Sequence, residues 1–348
     1  METKKRRPTI YDIAKQLNIT PATVSRALNN NKLISTATKN LVADAAQKLN
    51  YKPNSHAYNL RTGGSKTIGV IVPQVNINFF SNIIAGIEEV ARQHKYNIII
   101  CQSDDQFERE QQAIETLINQ NVACIMLSLA GGTTNTQHLL EAMEHDIQLI
   151  QFDRTDSELP TDRVINEIDN TVHAMIEHLC NKGYQNIAYL AGPQNIDIFR
   201  KRKHAFERSL LNIGLAYYPE NVESYDLTRQ SAKQAAYLLL NKKNRPDAIF
   251  ASSDLGALGA CDIAKNLGLS IPNDLGVCGF SNELYTELIS PSITTVNQFS
   301  LEMGNIAGNI FFDSLKVDST KKTPQTMVIH PELVLRESTN RYGTSQPY

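Results

Sequence analysis

Two sets of side chains in this sequence have the types and spacing for recognition chemistry. The first lies on a short stretch near the N-terminus, TIYDIAKQLNITPATVSRALN, residues 9–29. Val24, Ala27 and Leu28 recur there at helical spacing and define one apolar face. Pro21, Ala22, Thr23, Ser25, Arg26 and Asn29 remain outside. That outer face is small and hydrogen-bonding with one long arginine, a combination that fits a DNA major groove. Thr9 before it and Lys32 in the loop after it extend the same expected DNA-facing edge.

The second set is dispersed. Asn76, Asn78, Phe79 and Phe80 follow a first apolar strand, and Asp153 with Arg154 ends a fourth. Arg200 and Arg202 follow the strand ending at Gly192. Asp226, then Ser252-Ser253-Asp254, then Phe280-Ser281-Asn282 end later strands, and Gln298 closes the last. If the strand ends line one cleft, aromatic faces with Asp, Asn, Ser, Gln and an arginine suit a neutral polyol, sugar or nucleoside. Phe79 and Phe80 also suit a hydrophobic core. Asp169-Asn170 reads as a helix cap, and the run Arg200-Lys201-Arg202-Lys203 also suits a solvated helix face.

Enzyme signatures are missing. The turn after the first strand is PQVNINFF and lacks GxGxxG; no GxxxxGK[ST] occurs. Ala251-Ser252-Ser253-Asp254 lacks the form of a nucleophile elbow. The histidines have no metal-ligand spacing. The expectation is a non-enzyme without metal or cofactor.

The elements that carry these residues follow from periodicity. Thr9 is a helix N-cap type with Asp12 three residues on, and Ile10, Ile13, Ala14 and Leu17 form one apolar face. Asn18 breaks the run; Thr20 caps a second helix with Pro21 at its first position. Ser35 or Thr36 starts a third helix reaching about Leu49, with Leu41, Val42, Ala45, Ala46 and Leu49 expected to face inward. Residues 54–62, NSHAYNLRT, are helix-compatible but too short to be stable alone. A plain linker has no need of Leu60; a helix that pairs with its twin and wedges leucine into a minor groove does.

From Thr67 the pattern becomes alternating strands and helices. Strands such as Ile68–Pro73, apolar on both faces, imply parallel sheets covered by helices. The run is too long for one sheet, so we expect two lobes with a ligand cleft at the C-terminal strand ends. Met327–Leu335 reads as one final strand.

Bulk composition agrees. The 348 residues carry a net charge of −2, yet residues 1–66 hold 12 Lys/Arg against 3 Asp/Glu. A basic head on an acidic body implies that only the head meets a polyanion. The five cysteines are odd in number, mostly lie in apolar runs and include no CxxC, which favours reduced thiols. METKKRRPT lacks the apolar core of a signal peptide, and no apolar run has bilayer length. We expect a cytoplasmic protein, nucleoid-associated when bound to DNA. A transport-type sugar receptor is the runner-up, and the basic head and missing signal peptide argue against it.

These stretches resemble the lactose-repressor (LacI/GalR) family of bacterial transcription regulators from Thr9 to Thr339. The likeness rests on the 9–29 stretch, YKPN at 51–54, NLRTGGSKTIGVIVP at 59–73, GPQ at 192–194, VCGFSNE at 277–283, ITTVNQ at 293–298, EMG at 302–304 and HPELVLREST at 330–339. The resemblance implies an all-α helix-turn-helix headpiece at 1–52 and a hinge helix and linker at 53–66. An α/β two-lobed periplasmic-binding-protein-like domain follows at 67–340, with three crossovers and a tail at 341–348. The first lobe is then about 67–165 plus 299–324, and the second about 166–298 plus 325–340.

The resemblance further implies a homodimer, in some members a tetramer, on palindromic operator DNA. It implies a repressor of carbohydrate-utilisation genes controlled by a small-molecule effector, a sugar or sugar derivative. Pro21, Ala22 and Arg26 fall on base-reading positions, with Arg26 suited to a bidentate pair with guanine and the other two to apolar contact. Leu60 falls on the minor-groove leucine, with Ala57 beside it and Arg61 at a commonly basic position. Phe79, Phe80, Asp153, Arg202, Ser253, Ser281 and Gln298 fall on effector-contact positions, and Asp254 adjoins them. Ser281 stands where the family usually has Asp and Ser253 where it often has Asn, which implies a different or bulkier ligand.

Overall fold

The computed structural model describes residues 8–51, 65–317 and 323–341. The basic arm at residues 4–7 and the expected hinge, with Ala57, Leu60 and Arg61, lie outside them. The chain forms two compact units, 1–64 and 65–348.

The first unit is built from α1 (Ile10–Leu17), α2 (Pro21–Leu28) and α3 (Thr36–Lys48). The Asp12 carboxylate accepts from both the N–H and the hydroxyl of Thr9 at 2.7 Å, fixing the start of α1. Asn18 ends α1 in the left-handed conformation, φ 50°, which asparagine tolerates. The Thr20 hydroxyl accepts from Thr23 N at 3.1 Å and Ser35 from Thr38 N at 3.2 Å, capping α2 and α3. Ile13, Ala14, Val24, Ala27, Val42, Ala45 and Ala46 close the core. Leu41 corrects the sequence reading: it is 58% exposed. Val42, Ala45 and Ala46 supply the buried stripe at i, i+3 and i+4, and Leu41 lies a hundred degrees round the helix from Val42.

The second unit contains two sheets. The first has six parallel strands in the order β11-β5-β4-β3-β1-β2: β1 (Thr67–Val72), β2 (Asn97–Gln102), β3 (Cys124–Leu127), β4 (Gln148–Phe152), β5 (Asp162–Asn166) and β11 (Thr326–Ile329). The second has four parallel strands in the order β7-β6-β8-β9: β6 (Ile187–Ala191), β7 (Val222–Ser224), β8 (Ala248–Ala251) and β9 (Gly276–Cys278). A two-stranded antiparallel ribbon joins β10 (Thr295–Asn297) to β12 (Glu332–Val334).

Helices cover both faces of each sheet. In the first lobe α4 (Asn78–Gln93) and α12 (Ser300–Ser314) pack on one face around Ile68, Val70, Phe80 and Phe311. α5 (Phe107–Asn119) and α6 (Gln137–Glu144) cover the other with Ile114, Leu117 and Leu139. In the second lobe α7 (Asp169–Asn181) and α8 (Asp197–Ile213) oppose α9 (Arg229–Leu240) and α10 (Asp254–Asn266), and the single turn α11 (Tyr285–Leu288) follows β9. α4 and α12 touch through glycine. A methyl added at Gly304 falls on the Ile83 carbonyl, and one at Gly86 comes within 2.8 Å of Asn305 N.

Three details differ from the sequence expectation. The last strand is two strands, because Pro331 has no N–H for a ladder and the chain turns at His330-Pro331. Thr326–Ile329 pairs in parallel with Arg163–Asn166, so it belongs to the first lobe and the third crossing falls after Ile329, not at 325. The sequence pattern predicts this helix over Ile83–His94; α4 begins earlier, at Asn78, which puts Phe79 and Phe80 in its first turn.

Candidate functional site

The candidate DNA-reading face is the outer side of α2. Val24 and Ala27 anchor it to the core. Ala22, Arg26, Asn29 and Lys32 are exposed, and Pro21, Thr23 and Ser25 half-buried. The Thr23 hydroxyl lies 2.9 Å from that of Thr20, and the Asn29 amide donates to the Ser25 carbonyl at 2.6 Å. Thr9 stands on the opposite helix as the cap of α1, its hydroxyl engaged by Asp12.

The inter-lobe cleft gathers most of the second set. Arg202, on α8, is buried. Its two terminal nitrogens donate to the Ser252 carbonyl and to Gln298 Oε1, each at 3.0 Å. Its guanidinium lies 3.7 Å from the centre of the Phe280 ring and 5.5 Å from that of Phe199, so cation–π attraction supports the buried charge. Gln298 Oε1 also accepts from Asn166 Nδ2 at 3.1 Å, and its amide donates to Ser281 Oγ at 2.9 Å. One glutamine thus joins the ends of β5 and β9 to α8. Arg202 Nε and Asn166 Oδ1 are buried without a partner.

Asp153 ends β4 at φ 59°. Burial pushes its carboxyl above the usual range, while the positive charges of Arg154 and Arg202 pull it back. Burial likewise lowers Arg202, and Asp153 opposes that shift. Arg154 pairs with Asp105, and its guanidinium lies 5.8 Å from the Phe80 ring and 5.9 Å from that of Phe199. Phe79 and Phe80 are T-shaped partners at 5.2 Å inside the first-lobe core, so both readings hold for Phe80: it packs the core and faces Arg154.

Ser253 and Asp254 are occupied within the second lobe. Ser253 caps α10 by accepting from Gly256 N at 3.2 Å, and its hydroxyl lies 2.8 Å from that of Tyr225. The Asp254 carboxylate accepts from the Thr295 hydroxyl at 2.5 Å and from Glu283 N at 2.7 Å. Burial raises its pKa to about 7 against these two bonds. Asp254 therefore organises the loop after β9 from beneath. That loop carries Ser281 at φ 121° and Asn282 at φ 54°.

Sequence reasoning missed four participants. Asn166, Phe199 and Tyr225 take roles that emerge only when the two sheets are brought together. Glu283 is the fourth: its carboxylate accepts from Phe79 N at 3.2 Å, crossing from the second lobe to the first turn of α4. Nothing local in the sequence marks that reach. Asp169-Asn170 do not cap α7; Glu167 does, accepting from Asn170 N and Thr171 N at 2.9 and 3.2 Å. Arg200 pairs with Asp197 on the outer surface of α8.

None of the five cysteines forms a disulfide. Among the described residues no group of three metal-ligating side chains occurs and no helix is long and apolar enough to cross a membrane.

Comparison with known proteins gives this geometry a lineage. Residues 9–54 match the lacI family of bacterial regulatory proteins, and residues 176–339 match a periplasmic binding protein-like domain. The HTH-type transcriptional repressor CytR of Escherichia coli (strain K12) is 31% identical over 343 residues, 97% of this chain and 99% of that protein. The lac repressor dimer bound to operator and the anti-inducer ONPF shares the fold, with a TM-score of 0.83, 24% identity, and 96% and 99% of the two chains covered. The transcriptional regulator CelR in its cellobiose complex also does, at a TM-score of 0.71, 24% identity, and 95% and 100% covered. An HTH unit followed by a two-lobed ligand-binding unit, related over nearly the whole chain to such a repressor, places this chain in the lacI family of DNA-binding transcriptional regulators.

Proposed function

We propose that this chain represses carbohydrate-utilisation genes as a cytoplasmic, non-enzymatic homodimer on palindromic operator DNA. The observation that carries the proposal is the buried Arg202–Gln298–Ser281 cluster between the lobes, with Asp153 and a partnerless Arg202 Nε beside it. Buried polar groups of this kind are costly unless something satisfies them, and hydroxyl groups of a sugar supply both donors and acceptors. CelR, of the same fold, is described as a cellobiose complex.

In this reading the headpiece spans 1–52, the hinge and linker 53–66 and the effector and dimerisation domain 67–340. Arg26, Pro21 and Ala22 read bases; Thr9, Thr23, Ser25, Asn29 and Lys32 position the headpiece on the backbone. Ala57, Leu60 and Arg61 reach the operator centre. Phe79, Phe80, Asp153, Arg202, Ser253, Ser281 and Gln298 contact the effector, while Asp254 supports them through the loop at 281–283. Effector binding closes the lobes, and closure decides whether two copies hold their headpieces in register for the operator.

The test is genome-wide recovery of DNA bound by the purified protein at near-physiological salt, since low salt exaggerates binding by a basic head. A short palindrome beside sugar-uptake or glycoside-degrading genes is the expected result. Sequence-independent, salt-sensitive binding alone refutes it.

A further inference from the structure

The cleft has an outer chamber that the Arg202 cluster does not use. It measures about 420 Å³ and is walled by residues 129–131, 133–136 and 154–157 of the first lobe and 195–197, 200 and 201 of the second. The wall is rigid. Glu110, fully buried, accepts from Ala130 N at 2.6 Å and from the Thr133 hydroxyl at 2.8 Å, and its carboxylate lies 2.8 Å from His138 Nε2. Asp105 accepts from Gly131 N at 2.9 Å and also holds Arg154. Asn195 bridges the lobes, donating to the Gly131 carbonyl at 2.7 Å.

The chemistry of this chamber is neutral. Its rim presents Thr134, Asn135, Thr136, Thr155, Ser157 and Asn195. Its charges balance: Arg154 pairs with Asp105, Arg200 and Lys201 share Asp197, and Asp156 adds a further carboxylate to the lining. No aromatic ring lines it. A phosphate meets carboxylates beside every cation there and a nucleobase finds no stacking face, whereas hydroxyl groups find amides and hydroxyls. Arg154 lines the chamber and also lies against Phe199, which faces Arg202, so only Arg154 and Phe199 stand between the chamber and the inner cluster.

We propose that the outer chamber is a second sugar subsite and that the effector is an unphosphorylated oligosaccharide of at least two units. One unit engages Asp153, Arg202 and Gln298, and the next lies against the Thr134–Thr136 loop and Asn195. This rests on the carbohydrate reading of the cleft given above.

The experiment is calorimetric titration of the full-length protein with a panel of neutral monosaccharides, their di- and trisaccharides, and the matching 6-phosphates. At least one disaccharide should bind ten-fold or more tightly than its own monosaccharide. Thr134→Trp, which fills the chamber from an exposed position, should erase that increment and leave monosaccharide binding within two-fold. Equal affinity for monomer and oligomer, equal losses in Thr134→Trp, or tighter binding of a phosphate overturns the subsite while sparing the sugar reading. No binding by any saccharide, with operator binding intact, overturns both.

Discussion

Gln298 is the most informative residue to remove. Its side chain satisfies Arg202, Asn166 and Ser281 at once, and Gln298 itself is 2% exposed. Replacing it with alanine leaves a guanidinium nitrogen, an amide and a hydroxyl without that partner. Each buried orphan costs about 1–3 kcal/mol, more for the charged one. Water entering the space returns part of this, so we expect a loss of about 3 kcal/mol, comparable to breaking a buried ion pair. For a unit of this size that lowers the melting temperature by roughly 6 °C or more. The decisive assay is a double-mutant cycle with Arg202→Ala, read by chemical denaturation. If the two side chains act as one network, the double mutant is less destabilised than the sum by at least about 1 kcal/mol. Headpiece affinity for isolated half-site DNA should not change. Additive effects, or a Gln298→Ala protein that melts within about 1 °C of the parent, refute the network.

Three further outcomes are expected. Arg26→Ala should weaken specific operator binding by about 1–3 kcal/mol and relax preference at one base position, with sugar affinity unchanged; fluorescence anisotropy on single-base operator variants reads this. Asp254 has a folded pKa of about 7 against the ordinary 3.8, so its contribution to stability is complete below pH 3.8, declines as pH rises between the two values and is lost above about 7. Asp254→Asn should therefore flatten the fall in melting temperature between about pH 4 and 7, and an unchanged slope counts against the burial argument. Gly304→Ala drives a methyl into the Ile83 carbonyl, which no rotamer change relieves, and should cost about 3 kcal/mol by thermal denaturation.

The elements that rest on local chemistry were legible in the sequence. Thr9, Thr20 and Ser35 announce caps, Pro21 a helix start, and the apolar runs at 68–72 and 124–127 announce strands buried on both faces. What escaped was set at long range. The segment 326–334 reads as one β-prone run interrupted at His330-Pro331, and pairing with β5 on one side of Pro331 and β10 on the other assigns its halves to different sheets. Leu41 carries the right residue type on the wrong side of its helix. In the site, Arg202 and Gln298 were readable because strand ends converge. Glu283 was not, since its partners are main-chain amides 204 positions away and amides leave no mark on composition. Asp254 was readable as polar but not as internal, because whether a carboxylate faces a ligand or the protein depends on the loop folded over it.

The glycine contact between α4 and α12 sets what can vary around the cleft. Those two helices meet backbone to backbone at Gly86 and Gly304. α4 starts with the two phenylalanines at the cleft, and α12 starts directly after the crossing at Phe299. A joint made of main chain keeps its register whatever side chains drift around it. Residues lining the pocket can then be exchanged one after another while the seating of the two helices that begin at the cleft stays as it was.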